Sequence, residues 1–445
     1  MKAKPVLLLM LVILLAACQS VPTGTPEALP SATIVPTPVP GVLYVDPAQD
    51  LGPISPYIYG SNYGPMHAVT LEMQPYAFDA GITVLRFPGG AWGDQSNINT
   101  FQIDAFMDFC AQMGAMPTIS VRLFGGTPEQ AAEMVRYTNI EKGYGVLYWS
   151  IGNEPTLFEQ QYREPYDTVR FNQEWRAIAE AMLAVDPSIQ LLGPELHGSF
   201  TSNFATNPKD SAGRDWMVEF LKANGDLVDV VTYHRYPFPQ NGEMATLETL
   251  RQDPPEWNAT VAYLRALVQD MLGRDLPIAV TEVGSDSSAV MMGEATPDSF
   301  ASAIWYADVL GRMAQQRVFM VNQWVLSQRT TGLGLFQGNT IRPTYYTFLL
   351  YKKFGSELLY ASSGIPDVSI YAARGEEGAL TLMVVNLSDS EQRVPLQIAG
   401  MQPDSAFVWL FDASHNAEAL GVQAMPQGGM LILPAWSATL YVISE

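Results

Sequence analysis

Two glutamates close apolar runs in this chain. Glu154 ends "VLYWSIGNE", which starts at Val146 and stops before Pro155, and Glu282 lies near the end of "PIAVTEV", which starts at Pro277. A short apolar run bounded by turn residues reads as a buried strand. Two carboxylates brought to one pocket can divide the work of breaking a glycosidic bond. One is protonated and assists the leaving oxygen, while the other attacks carbon or activates water. Glu154, expected to lie against Trp149 and after an apolar strand, is expected to have a raised pKa and to serve as the acid. Glu282, beside Thr281, is expected to stay ionised through Arg86 or the hydroxyl of Tyr236, as a nucleophile must.

Such a pair needs a frame that carries both residues to one place. Apolar runs recur at Tyr57 ("YIYGSN"), Ile82 ("ITVLRF"), Pro117 ("PTISVR"), Val146, Ile189 ("IQLLGPE"), Leu227 ("LVDVVTYH"), Pro277 and Val318 ("VFMVNQW"). Between them lie stretches with helical apolar spacing, among them "PEQAAEMVRYTN", "RFNQEWRAIAEAMLAV" and "SFASAIWYADVLGRMAQQ". Eight such strand and helix units predict an α/β fold, a (β/α)8 TIM barrel. A doubly wound open sheet would want a Gly-rich phosphate loop after its first strand, and "GSNYGPMHA" does not match one.

In a (β/α)8 barrel the C-terminal strand ends carry the chemistry. Those ends place Arg86 on strand two, Arg122 on three, Glu154 on four, Glu195 on five, His234 on six, Glu282 on seven and Trp324 on eight. Strands four and seven face each other across the barrel. Arg86 would satisfy its own buried charge by pairing with a carboxylate. His234 reads as an interior hydrogen-bonding residue or as a substrate contact, Glu195 equally as a structural residue, and Arg122 as rim or packing. Tyr63, Trp92, Phe124, Tyr233 and Trp324 are candidate sugar platforms, with Trp324 and Trp92 preferred.

The flanks differ in texture. Residues 1–18 read as a targeting segment: Lys2 and Lys4, then "VLLLMLVILL", then "LAAC", which resembles the lipobox of bacterial lipoproteins. The resemblance implies lipidation at Cys18 and attachment to the membrane of the bacterial cell envelope; the alternative is an ordinary secretory signal. Residues 19–40 are a Pro/Thr-rich linker. The barrel is expected over 41–356, with the strand 41–46 pairing instead into a C-terminal antiparallel β-sandwich over 357–445. Short alternating runs such as "VSIYAARG" and "ALTLMVVNLS" mark that sandwich.

Twenty-four Lys+Arg against 45 Asp+Glu give a net charge of -21, which excludes nucleic acid as a partner. Cys110 reads as a small buried hydrophobe. The four histidines show no metal-ligand spacing, so no metal and no cofactor is expected.

"WSIGNEP" together with "VTEVG" resembles the Asn-Glu and Glu motifs of the clan A glycoside hydrolases. That resemblance implies a retaining, two-step reaction with Glu154 as acid/base, Glu282 as nucleophile and Asn153 binding the sugar hydroxyl beside the reacting carbon. It also implies that Arg86, His234 and Tyr236 orient the nucleophile and line its subsite. "VLRFPGG" and "GTPEQAAEMVRYTN" are similar to family 51 α-L-arabinofuranosidases. "SPYIYGSN" and "NEPTLF" look more like the glucanases and xyloglucanases of family 44, or family 39. Ala91-Trp92 after "RFPGG", and Pro155 after Glu154, depart from the family 51 pattern and weaken the arabinofuranosidase reading; a plant-type β-glycan polysaccharide is the favoured substrate, with an exo-acting α-L-arabinofuranosidase as the alternative. A surface lipoprotein that binds carbohydrate without turnover is the reading of a different class.

Overall fold

The computed structural model describes residues 39–202, 206–425 and 428–444. The targeting segment, Cys18 and the linker through residue 38 lie outside the described residues. Strand β1 (Leu43–Pro53) comes first. Eight parallel strands follow and close into a barrel: β2 (Gly60–Asn62), β3 (Val84–Phe87), β4 (Met116–Val121), β5 (Tyr148–Ile151), β6 (Gln190–His197), β7 (Val230–Arg235), β8 (Ile278–Val283) and β9 (Met320–Gln323). The run "YIYGSN" is strand only over its last three residues, because Pro56–Ile58 form a 3-10 turn capped by Ser55. A two-strand ribbon, β10 (Phe336–Gln337) with β11 (Thr340–Ile341), precedes the last barrel helix, Thr344–Tyr351.

Alternation along the strands sorts their side chains. Val84, Tyr148, Leu192, Val230, Ala279 and Met320 point inward and meet Phe319 in an apolar floor. Their neighbours, such as Leu85, Trp149, Leu191 and Val231, face the helices. Higher in the barrel the inward positions become Thr118, Ser120, Ser150 and Thr232, all buried. The interior thus passes from apolar to hydroxyl-bearing to charged toward the C-terminal strand ends.

The remaining strands are β12 (Glu357–Ser363), β13 (Val368–Arg374), β14 (Leu380–Asn386), β15 (Gln392–Ile398), β16 (Ser405–Phe411), β17 (Glu418–Ala424), β18 (Met430–Leu433) and β19 (Ser437–Ile443). With β1 they make one hydrogen-bonded sheet, ordered β17-β16-β19-β14-β13-β12-β1-β15-β18. Its pairs are antiparallel except β1 with β15, which is parallel. The sheet folds over itself around a core that includes Leu43, Leu359, Val384, Leu396 and Leu433. Its other face packs on the barrel helix Phe300–Gln315, which is buried on nearly every side. Gly311 lets that helix approach, since a β-carbon there would lie 2.2 Å from the ring of Tyr371. Tyr371 donates to the backbone carbonyl of Asp308 at 3.1 Å, tying the two units together. Cys110 is buried on the helix Thr100–Met113.

Candidate active site

Strand β5 stops where Gly152 takes φ +78°; a β-carbon there would lie 2.6 Å from that of Leu123. The chain then turns sharply. Glu154 itself adopts the left-handed conformation (φ 53°, ψ 55°) and its N–H donates to the Glu195 carbonyl at 2.9 Å. Glu195 is also left-handed, at φ 57°. Each such residue costs about 1–2 kcal/mol, which the surrounding polar contacts must offset.

Two irregularities in strand pairing aim side chains into the barrel. The register of β6 against β7 shifts between Gly193 and Leu196, and Glu195 faces inward. On β8 the register shifts against both neighbours around Thr281 and Glu282, so both residues face inward. Bulges commonly re-aim side chains in this way.

A buried polar network results. Arg86, 1% exposed, donates through Nη1 to Glu282 Oε1 and to Asn62 Oδ1, both at 2.9 Å. Its Nη2 donates to Asn153 Oδ1 at 2.9 Å and lies 3.2 Å from Glu195 Oε2. Tyr236 donates to Glu282 Oε2 at 2.8 Å. His234 is fully buried, with Nδ1 3.0 Å from Glu154 Oε1 and Nε2 2.8 Å from Glu195 Oε2. Thr281 donates to Glu195 Oε2 at 2.6 Å. A carboxylate oxygen of Glu154, one of Glu282 and a ring nitrogen of His234 all lie within 4.8 Å of one another. The amide nitrogen of Asn153 is buried without a hydrogen-bond partner.

The electrostatics correct the expected assignment of pKa values. Trp149 does not lie against Glu154: it faces the helices and donates from its ring N–H to the Val146 carbonyl at 2.8 Å. Burial would raise the Glu154 pKa, but the imidazoles of His197 and His234 outweigh it and hold the carboxyl well below the usual range. Glu282 is pushed up, by burial first and then by the charge of Glu154, against the opposing effects of His234, Arg86 and Tyr236. Burial alone would lower the His234 pKa; the facing carboxylates of Glu282, Glu154 and Glu195 instead push it up to about 9. These opposite shifts favour the charged forms of both Glu154 and His234.

Two contributors escaped the sequence reading. Asp94, on the short helix Trp92–Gln95, accepts the backbone N–H groups of Leu123 (2.7 Å), Phe124 (3.0 Å) and Asn153 (2.7 Å), fixing the turn that carries Asn153 and Glu154. Burial pushes its pKa up to about 6 despite those three donors. His197, at the end of β6, places Nδ1 3.2 Å from Glu154 Oε1 and is about one-third exposed. Its signal was its position at a strand end, in "PELH".

The aromatic candidates separate. Trp324, half-buried, covers the Pro-Gly-Gly turn: a β-carbon on Gly90 (φ +70°) would lie 2.3 Å from its ring. His67 meets the same indole edge-on at 5.2 Å. Trp92 is half-buried where it opens the helix bearing Asp94. Tyr63 and Tyr233 are not platforms: Tyr63 stacks on Phe109 at 4.8 Å, and Tyr233 is fully buried on the outer face of β7. Phe124 stacks on Tyr162 at 3.7 Å. Arg122 binds the Phe124 carbonyl and Asn97, holding loops at the rim rather than joining the network.

Comparison with known proteins supplies context. The chain is 24% identical to mouse (Mus musculus) heparanase over 348 residues, covering 68% of this chain and 60% of that protein. With the heparanases of rat and cattle included, the chain spans about half the length of the curated relatives it matches. The family 51 α-L-arabinofuranosidase from Thermotoga petrophila RKU-1 superposes with a TM-score of 0.71 at 17% identity, over 91% of this chain and 100% of that one. The chain is similar to the clan A glycoside hydrolases. A Paenibacillus polymyxa xyloglucanase of family 44 gives a TM-score of 0.67 at 17% identity, over 91% of this chain and 99% of that one. Residues 366–439 match the family described as the D-apionate lactonase C-terminal immunoglobulin-like domain. The fold is shared with both glycosidase families.

Proposed function

We propose that this protein is a retaining glycoside hydrolase acting by double displacement. The observation that carries this reading is the approach of Glu154 and Glu282, whose oxygens come within 4.8 Å. Retaining enzymes hold their two carboxyl groups about 5–5.5 Å apart, whereas inverting enzymes leave about 6.5–9.5 Å for a water.

Glu282 is the nucleophile. Arg86 and Tyr236 each hold one of its oxygens, so its lone pairs have a fixed direction. Attack on the anomeric carbon breaks the bond to the leaving oxygen and makes a glycosyl ester on Glu282. Glu154 is the acid/base, delivering a proton to that oxygen and later taking one from the water that cleaves the ester. The free amide donor of Asn153 binds the adjacent sugar hydroxyl, and Trp324 offers its face to the C–H groups of the ring.

The favoured substrate is a plant-type β-glycan such as glucan, xyloglucan or xylan. Departures from the family 51 motif at Ala91-Trp92 and Pro155 support it. An α-L-arabinofuranosidase is the second reading, supported by the superposition on that fold. A net charge of -21 disfavours a polyanionic glycan. A binding lipoprotein without turnover is disfavoured because both carboxylates and their partners are in place. Digesting β-glucan, xyloglucan, xylan, mannan, galactan and arabinan, beside the Glu282→Gln variant, tests these readings. Oligosaccharides from a β-glycan support the first; arabinose alone from arabinan supports the second. Binding without products from any polymer contradicts both.

We also read Cys18 as lipidated and anchoring the protein to the bacterial cell envelope, on the strength of "LAAC". Metabolic labelling with a fatty acid, lost in Cys18→Ala, tests it.

A further inference from the structure

Glu195 is a third carboxylate, lying behind the two that face each other, and double displacement assigns it no task. It is fully buried, on a bulged and left-handed stretch of β6, and one oxygen, Oε2, takes three contacts: Thr281 Oγ1 at 2.6 Å, His234 Nε2 at 2.8 Å and Arg86 Nη2 at 3.2 Å. On the far side of the same imidazole, Nδ1 points at Glu154 Oε1 at 3.0 Å. A histidine with a carboxylate oxygen at hydrogen-bond distance from each ring nitrogen can donate to both only as imidazolium.

We propose that His234 stores the proton used in the acid step and that Glu195 is the positioning residue that keeps it there. The proposal rests on the reading of Glu154 as acid/base. In the first half-reaction Nδ1 of His234 passes its proton to the Glu154 carboxyl, which delivers it to the leaving oxygen as the anomeric carbon bonds to Glu282. In the second, water attacks that carbon, the ester to Glu282 breaks, and Glu154 returns the proton of the water to Nδ1. The pair Glu154–His234 begins and ends with one proton.

The charged and titratable groups facing His234 are Glu154 from the end of β5, Glu195 from β6 and Glu282 from β8, whose Oε2 lies 3.7 Å from Nδ1. Arg86 on β3 and Tyr236 after β7 each bind Glu282, and His197 lies against Glu154. Two of the three carboxylates engage the guanidinium of Arg86, but only Glu195 hydrogen-bonds Nε2. The facing carboxylates, Glu195 among them, push the His234 pKa up to about 9. Without Glu195, Glu282 and Glu154 alone oppose the effect of burial, which favours the neutral ring, and the proton is lost at lower pH.

The test uses full-length wild type and Glu195→Gln with aryl glycosides of the sugar that wild type releases. The basic limb of kcat/KM should move down by at least one pH unit in the variant. At pH 8 the loss should be about tenfold or more for a poor leaving group such as phenol. For dinitrophenol, which needs no proton, it should be no more than about twofold. Equal losses for both leaving groups with an unmoved basic limb would reduce Glu195 to a structural role and overturn the proposal. A second measurement needs no variant beyond the signal assignment: 15N spectra of labelled histidine in wild type, assigned with His234→Asn among the four histidines. Imidazolium shifts at pH 7.5, persisting toward pH 9, are expected. A neutral ring at pH 7.5 overturns the proposal. If no glycoside is hydrolysed, the enzymatic reading fails on its own, and the spectrum still decides where the proton sits.

Discussion

Thr281 and Glu282 are consecutive residues that both face the barrel interior, one donating to Glu195 at 2.6 Å and the other accepting from Arg86 at 2.9 Å. Regular alternation would send one of them toward the helices. The bulge on β8 turns Glu282 inward and also supplies a hydroxyl to the carboxylate behind it.

Replacing Glu282, the proposed nucleophile, should stop turnover. Glu282→Gln keeps the volume and a hydrogen-bonding oxygen for Arg86, and kcat should fall on the order of 10⁴-fold or more. Binding of an oligosaccharide by calorimetry should survive. Near-normal turnover would remove Glu282 from its role.

Removing Glu154, the proposed acid/base, should show a different pattern. Glu154→Ala should lose about 10²–10⁴-fold on substrates with poor leaving groups and far less on activated aryl glycosides. Azide should restore activity on the latter by attacking the glycosyl ester in place of water. A glycosyl azide of retained configuration, seen by mass spectrometry and NMR, is the expected product.

The raised pKa of His234 makes stability depend on pH. Its pKa is raised from the ordinary 6.5 to about 9, so its contribution is fully present below pH 6.5 and is lost as the pH rises through 9. The loss should be on the order of 3 kcal/mol. Urea unfolding at pH 6 and pH 9.5 should show this drop in wild type and a smaller one in His234→Asn.

The turn under Trp324 offers a test of the sugar platform. Gly90→Ala places a methyl 2.3 Å from the indole ring and a side chain at φ +70°. The backbone conformation alone costs about 1–2 kcal/mol, and the displaced ring should raise KM severalfold with less change in kcat. An unaltered KM would remove Trp324 from the subsite.

Much of the fold was legible because each barrel strand is a short apolar run followed by a polar residue. That pattern places Arg86, Glu154, Glu195, His234 and Glu282 at one end of the barrel. Alternation also held the correction for Trp149: with Tyr148 in the apolar floor, its neighbour has to face the helices. Asp94 was hidden because its partners are backbone N–H groups 29 to 59 positions away, and no residue pattern marks them. The pKa order of Glu154 and Glu282 was illegible for a related reason. It depends on His197 and His234, which meet Glu154 only when β6 and β7 lie beside β5. Tyr63 and Tyr233 showed the opposite failing, being aromatic residues near strand ends that belong to the core.

The anomeric configuration of the first product, followed by proton NMR before mutarotation, tests the central claim most directly. Two carboxylates whose oxygens approach within 4.8 Å predict a product with the configuration of the substrate. A product of opposite configuration would require a water between Glu154 and Glu282 and would contradict the double displacement.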